Sequence, residues 1–93
     1  MANVATAAQA DRLLALLEER WTEVAQVATV IDQWDLLNQL RYTETWPLER
    51  ECLAQLEQLR MAGEFTDTQE ARYQGLKALI ARHEPLLQRM LKG

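Results

Sequence analysis

Few side chains in this sequence are equipped for covalent chemistry. It has one histidine, His83, one cysteine, Cys52, and no serine at all. With only a handful of Asp residues besides, the usual nucleophile, base and orienting-acid sets find no members. His83 falls between Leu79 and Leu86 at helical spacing, where a half-buried imidazole bonded to a neighbour is the expected state. A zinc site needs three or four ligands at close range, and beside His83 only Glu84 offers one, on a different face, so no metal and no cofactor is expected. Cys52 lies on an apolar stripe and reads as a small buried hydrophobe. The glycines stand singly at 63, 75 and 93, which provides no phosphate-cradling loop. The expectation is a protein that is not an enzyme and works through its surfaces.

The elements that shape those surfaces are helical. Ala, Leu, Gln, Glu and Arg make up 56 of the 93 residues, against two Ile and four Val, a composition of strong helix formers. The length allows one domain, residues 1–93. Fourteen acids against ten bases give a net charge of −4, the wrong sign for a protein that must neutralise phosphates or anionic lipid. Nucleic acid is therefore not an expected partner. No run approaches the length of a membrane span and no basic leader opens the chain, and a lone cysteine suits a reducing compartment. The expected location is the cytoplasm.

Periodicity places three long helices at about 5–31, 33–61 and 67–91, predicting an all-α, antiparallel up-down-up bundle. The first carries an apolar seam through Ala7, Ala10, Leu14, Leu17, Trp21, Val24, Ala28 and Ile31. A reversal follows at 32–35. The second has a stripe through Leu37, Leu40, Leu48, Cys52, Leu56 and Leu59, with Glu44 an exception inside it. Pro47 implies either a kink or a break capped by Thr45, and the apolar phase running across it favours the kink. Gly63 suits the end of this helix, and Thr66 with Gln69, or Asp67 with Glu70, offers a capping box for the next. The third helix runs its seam through Leu76, Leu79, His83, Leu86 and Met90, passing Pro85. Acids dominate 32–60 and bases dominate 71–93, which favours pairing the second helix with the third.

A second apolar strip is left over. Tyr42, Trp46 and Leu53 share one face of the second helix, away from its leucine stripe, and burying them would expose Leu40 and Leu48. Tyr73, Ile80 and Leu87 flank the seam of the third, together with Leu91. A chain of this size cannot hide all of its apolar surface. These six residues, Tyr42, Trp46, Leu53, Tyr73, Ile80 and Leu87, are the predicted partner-binding surface, suited to an amphipathic helix of another protein or to a homodimer seam.

The run from Ala28 through Asp32, Trp34, Asp35, Leu36 and Leu37 to Leu40 resembles the junction between the first two helices of FliT, the flagellar export chaperone family. The charged second helix around Arg50, Glu51, Cys52 and Leu53 and the Leu-rich third helix, 76–87, continue the likeness, which spans 11–91. The resemblance implies a cytoplasmic chaperone that binds the helical tail of the filament-cap protein and delivers it to the export apparatus. That family carries a fourth helix over its binding surface, where three are predicted here. The segment 11–20 with Arg50 and Glu51 also resembles the all-α chorismate mutases, dimers of three-helix chains. This second resemblance implies Arg20, Arg50 and Glu51 as catalytic residues. However, Asn3 and Ile31 stand where that family has an arginine and a lysine, and His83 and Leu87 take the place of its polar pair unless Gln88 shifts register, so any such activity is expected to be impaired.

Overall fold

The long first helix is set by its seam. In a computed structural model, which describes the backbone of residues 4–91 and side chains from residue 6 onward, α1 spans Val4–Val30 and buries Ala10, Leu14, Leu17, Trp21 and Val24 at alternating steps of four and three. Ala7 and Ala28 are half-buried at the ends of the same line, as the spacing predicts. The helix stops where Val30 leaves helical dihedrals, at φ −124° and ψ −11°. A single 3-10 turn, Ile31–Gln33, follows, and Trp34 is extended. Asp35 then caps α2, Leu36–Glu44, its Oδ1 accepting from the Asn38 N–H at 2.8 Å, because a capping carboxylate satisfies one of the orphan donors of a first turn.

The second predicted helix, 33–61, is two helices. α3 spans Trp46–Met61, and the ladder is interrupted at Thr45. Thr45 keeps helical dihedrals (φ −79°, ψ −17°), so the backbone is not unwound there. Pro47 sits in the first turn of α3, where a missing N–H leaves nothing unpaired. The Thr45 hydroxyl donates back to the Tyr42 carbonyl at 2.8 Å instead of capping α3. The expected continuous, kinked helix is thus corrected to an interrupted one.

The next turn follows its local chemistry closely. Gly63 has φ +78°, the left-handed conformation that glycine adopts without a Cβ penalty. The N–H of Glu64 reaches the Leu59 carbonyl at 3.1 Å and that of Gly63 the Arg60 carbonyl at 3.0 Å, the paired bonds of a Schellman ending. Thr66 and Gln69 then bond reciprocally at 2.9 and 3.2 Å, opening α4, Asp67–Leu91. Of the two possible capping boxes this one forms, while Glu70 turns to Arg60. α4 passes Pro85 without interruption.

Among the described residues the chain is all helix and turn, without a strand, and extends 48 × 21 × 16 Å. α1 is the common partner, packing against both α3 and α4 and more extensively on α4. Polar pairs mark the register. Gln69 Nε2 donates to the Ala7 carbonyl at 2.9 Å, Arg72 Nη2 to Glu18 at 2.7 Å, and His83 Nδ1 lies 2.8 Å from the Trp21 carbonyl. His83 is therefore half-buried and bonded to a neighbour, as its position predicts. Between α3 and α4 run Arg50–Glu84, Arg60–Glu70 and Lys77–Glu57. Only the last has the acid on α3 and the base on α4 that the charge distribution led us to expect.

The largest correction concerns phase. The buried line of the second segment is Tyr42, Trp46, Glu49 and Leu56, with Leu53 half-buried, still spaced four, three, four, three across the interruption. On α4 it is Gln69, Tyr73, Leu76 and Leu87 with Ile80 half-buried, while Leu79, Leu86 and Met90 lie at the edge. Of the six residues expected on a binding strip, Tyr42, Trp46, Tyr73 and Leu87 are core, and Leu53 and Ile80 pack against it. The price of this arrangement is the exposure of Leu37, Leu40 and Leu48, the trade that burial of Tyr42 and Trp46 requires. Large rings win because each removes more apolar area from water than a leucine.

Candidate functional site

Glu49 occupies an interior position of the 42–56 line, and a carboxylate there needs a partner. Arg20, on the flank of the α1 seam, supplies it. Its Nε lies 3.1 Å from Glu49 Oε1, and the two side chains are only 21% and 9% exposed. Arg20 Nη2 donates to Thr45 Oγ1 at 2.7 Å, and Nη1 lies 3.5 Å from Glu23. The guanidinium centre stands 5.3 Å from the ring centroids of both Tyr42 and Trp46, close enough for cation–π attraction. Trp46 meets Trp21 edge to face at 4.9 Å, Tyr42 meets Trp46 at 6.0 Å, and Trp34 meets Tyr42 at 6.0 Å. Four rings and one buried ion pair thus tie α2 and α3 to the middle of α1.

The pair is incompletely satisfied. Arg20 Nε is close to Glu49 Oε1 without hydrogen-bonding geometry, and Glu49 Oε2, Tyr42 Oη and Trp46 Nε1 are buried with no hydrogen-bond partner. Burial raises the Tyr42 phenol above its ordinary value, outweighing the opposing pull of Arg20 and of the nearby Trp46 indole. Burial, followed by the charges of Glu49 and Glu51, likewise raises the Cys52 thiol, which makes it a poor nucleophile at neutral pH.

α2 separates two cavities. One, of about 560 Å³, is a trough between the end of α1, α2 and the end of α4, with Ile31, Leu36, Leu40, Leu86, Met90 and Leu91 as its apolar lining and Asp32 and Arg89 as its charges. The other, of about 470 Å³, is lined by Arg20, Trp34, Asn38, Arg41, Tyr42 and Thr45. At about 100° per residue the two sets of α2 side chains point in nearly opposite directions. Gln39 pins this element. Its Nε2 donates to the Ile31 carbonyl at 3.0 Å and the Trp34 carbonyl at 2.9 Å.

The residues implied by the mutase resemblance are not joined in one site. Arg20 is taken by Glu49 and Thr45, Arg50 turns to Glu84 on α4 at 3.0 Å, and Glu51 is exposed. Asn3 lies outside the described residues. Among the described residues no three His, Cys, Asp or Glu side chains converge as metal ligands, and no helix is long and apolar enough to cross a membrane. Sequence reasoning missed Glu49, Asn38 and Arg41. The signal for Glu49 was a single acid within an otherwise regular aromatic and leucine line.

No protein-family model, curated protein or solved structure matches this chain. The chaperone and mutase resemblances therefore rest on the sequence motifs alone.

Proposed function

We propose that this chain is a cytoplasmic binding protein that captures an amphipathic helical segment of another polypeptide, the role that the resemblance to flagellar export chaperones implies. The order of pairings along α1, α3 and α4 supports an up-down-up course for its long segments. One observation carries the reading. Leu36, Leu37 and Leu40, on the element that separates the two cavities, are 70, 58 and 46% exposed, and Leu36 and Leu40 line a trough in which apolar side chains alternate with Asp32, Gln39, Thr43 and Arg89. Tyr42 is the sole buried residue of α2, so these leucines are not held out by any demand of the core other than the burial of that ring.

The trough matches a helix laid into a groove, where apolar anchors recur at three- and four-residue steps. Covering a leucine fully is worth about 1.5–3 kcal/mol, so three half-exposed leucines offer several kcal/mol toward the cost of association. Leu48, 64% exposed at the start of α3, extends the apolar surface beyond the Thr45 joint. The binding surface is therefore the leucine stripe, in place of the aromatic strip that the periodicity led us to expect.

The test uses a fluorescently labelled peptide from the helical tail of a filament-cap protein. Saturable anisotropy, weakened about tenfold by Leu36→Ser with Leu40→Ser at unchanged melting temperature, supports the reading, one decade being about 1.4 kcal/mol. Binding indifferent to both substitutions would remove the surface, and absence of binding would remove the client. Dimerisation that the same pair abolishes would reassign the stripe to a second copy of the chain. The mutase reading is met by incubation with chorismate, where prephenate formation sensitive to Arg20→Ala would overturn our choice.

A further inference from the structure

We propose that the cavity on the other face of α2 binds a small aromatic monocarboxylate. It shares none of the lining of the helix-binding trough and differs from it in chemistry. Its lining includes the rings of Trp34 and Tyr42, which pack edge to face on one another at 6.0 Å; Tyr42 is buried, so the half-buried Trp34 is the ring against which a flat ligand can stack. The volume of about 470 Å³ lies within the range of small-molecule sites.

Polar groups at the cavity are available in an unequal way. Arg20 is held by Glu49, Glu23 and Thr45, so it serves as a fixed wall. Arg41 is exposed and, among the described residues, has neither a hydrogen bond nor an ion pair. Its guanidinium offers the planar fork that a carboxylate accepts in two parallel bonds. Asn38 gives its backbone N–H to the Asp35 cap, and its side-chain amide remains open as donor and acceptor. Tyr42, 8% exposed, lines the cavity with part of its ring, while its hydroxyl is buried out of reach of a ligand.

Charge fixes the number of anionic groups. Glu23 and Glu49 outnumber Arg20 by one charge, the chain carries a net −4, and Arg41, which among the described residues has no counter-ion, brings the local sum only to zero, so its fork can take a single anionic group. One negative group is matched and a second is opposed. A dianion such as a phosphate monoester is therefore excluded from the proposal.

The experiment titrates the full chain with naphthoate and follows its indole N–H resonances by NMR alongside calorimetry. We expect saturable binding that shifts the Trp34 resonance. Naphthamide, which lacks the charge, and cyclohexanecarboxylate, which lacks the flat ring, should bind at least about tenfold more weakly. Arg41→Gln, on an exposed helical position, should bring naphthoate down to the level of naphthamide without moving the melting temperature. Equal binding of naphthoate and naphthamide, indifference to Arg41→Gln, or no saturation at about 5 mM would overturn the proposal, since millimolar dissociation is the weak limit of a specific site. Tighter binding of naphthyl phosphate would overturn the assigned class. Leu36→Ser with Leu40→Ser should leave naphthoate binding intact, which separates failure of this proposal from failure of the helix-binding reading.

Discussion

The two ends of this molecule are built differently. At the α3–α4 turn every device is local and satisfied: a left-handed Gly63, two Schellman bonds, a reciprocal Thr66–Gln69 box, and Arg60 clamped on Glu70 by contacts of 2.9–3.0 Å. At the α2 end the attachment is tertiary and incomplete. The buried rings of Tyr42 and Trp46, one glutamine amide and an ion pair with unsatisfied atoms hold α2 and the start of α3 to α1. Among the described residues, the locally bonded end leaves one large apolar side chain uncovered, Met61 at 83%, whereas the end held by long-range contacts leaves a run of leucines uncovered at 36, 37, 40 and 48. The proposed binding surfaces lie at the second.

Breaking the long-range attachment should have the largest effect. Arg20→Met leaves the Glu49 carboxylate buried and unpaired, a change that costs about 3 kcal/mol in comparable pairs, measured as a lowered urea midpoint at constant slope. Adding Glu49→Leu should restore most of the loss. If either single substitution costs less than about 1 kcal/mol, in the range of a surface pair, the ion pair is not what holds this end.

The closed end is tested by its glycine. A Cβ at Gly63 meets open space, so Gly63→Ala probes the backbone alone and should destabilise by about 1–2 kcal/mol. The mid-helix control is Gly75, where a Cβ also meets nothing. Gly75→Ala should stabilise by about 1 kcal/mol, read as a raised melting temperature.

The smallest effects are in pH, and they divide the two ends. The Arg60 bond, with help from Gln74, holds the Glu70 carboxyl below its ordinary value of 4.5. A carboxyl depressed in the fold contributes stability above that ordinary value and loses it as pH falls through the folded one. The stability gap between the native chain and Glu70→Gln should therefore close in acid. Tyr42, raised by burial above 10.0, has the opposite sign: its contribution is complete below 10.0 and is lost as pH rises through the folded value. A Tyr42→Phe variant should lose less stability than the native chain on the alkaline side.

The closed end was legible from sequence because a glycine and a Thr-x-x-Gln box act within a few residues of themselves. The α1 seam was legible because no polar residue interrupts Leu14, Leu17, Trp21 and Val24. The second segment misled because two lines compete there. Each line contains one acid, Glu44 among the leucines at 37, 40 and 48 and Glu49 in the line that is buried. What makes that acid tolerable is Arg20, on a different helix, and nothing near residue 49 announces it. On α4 the error was smaller, because Leu79, Leu86 and Met90 still touch the core from its edge. The candidate sites followed the phase: once Tyr42 and Trp46 turn inward, the exposed apolar stripe is that of the leucines, where the partner surface is proposed, and the aromatic corner becomes a small cavity.

That α2 is a partition with a hollow on either side has a mechanical result. Rocking this nine-residue rod about the Thr45 joint toward α4 would open the aromatic corner and squeeze the leucine trough, and the opposite tilt would do the reverse. Two guests wedged against one movable wall hinder each other equally, since the penalty each imposes on the other is the same free energy. A peptide titration repeated in saturating naphthoate would show this antagonism as a weaker apparent affinity, and unchanged affinity would mean the wall is rigid.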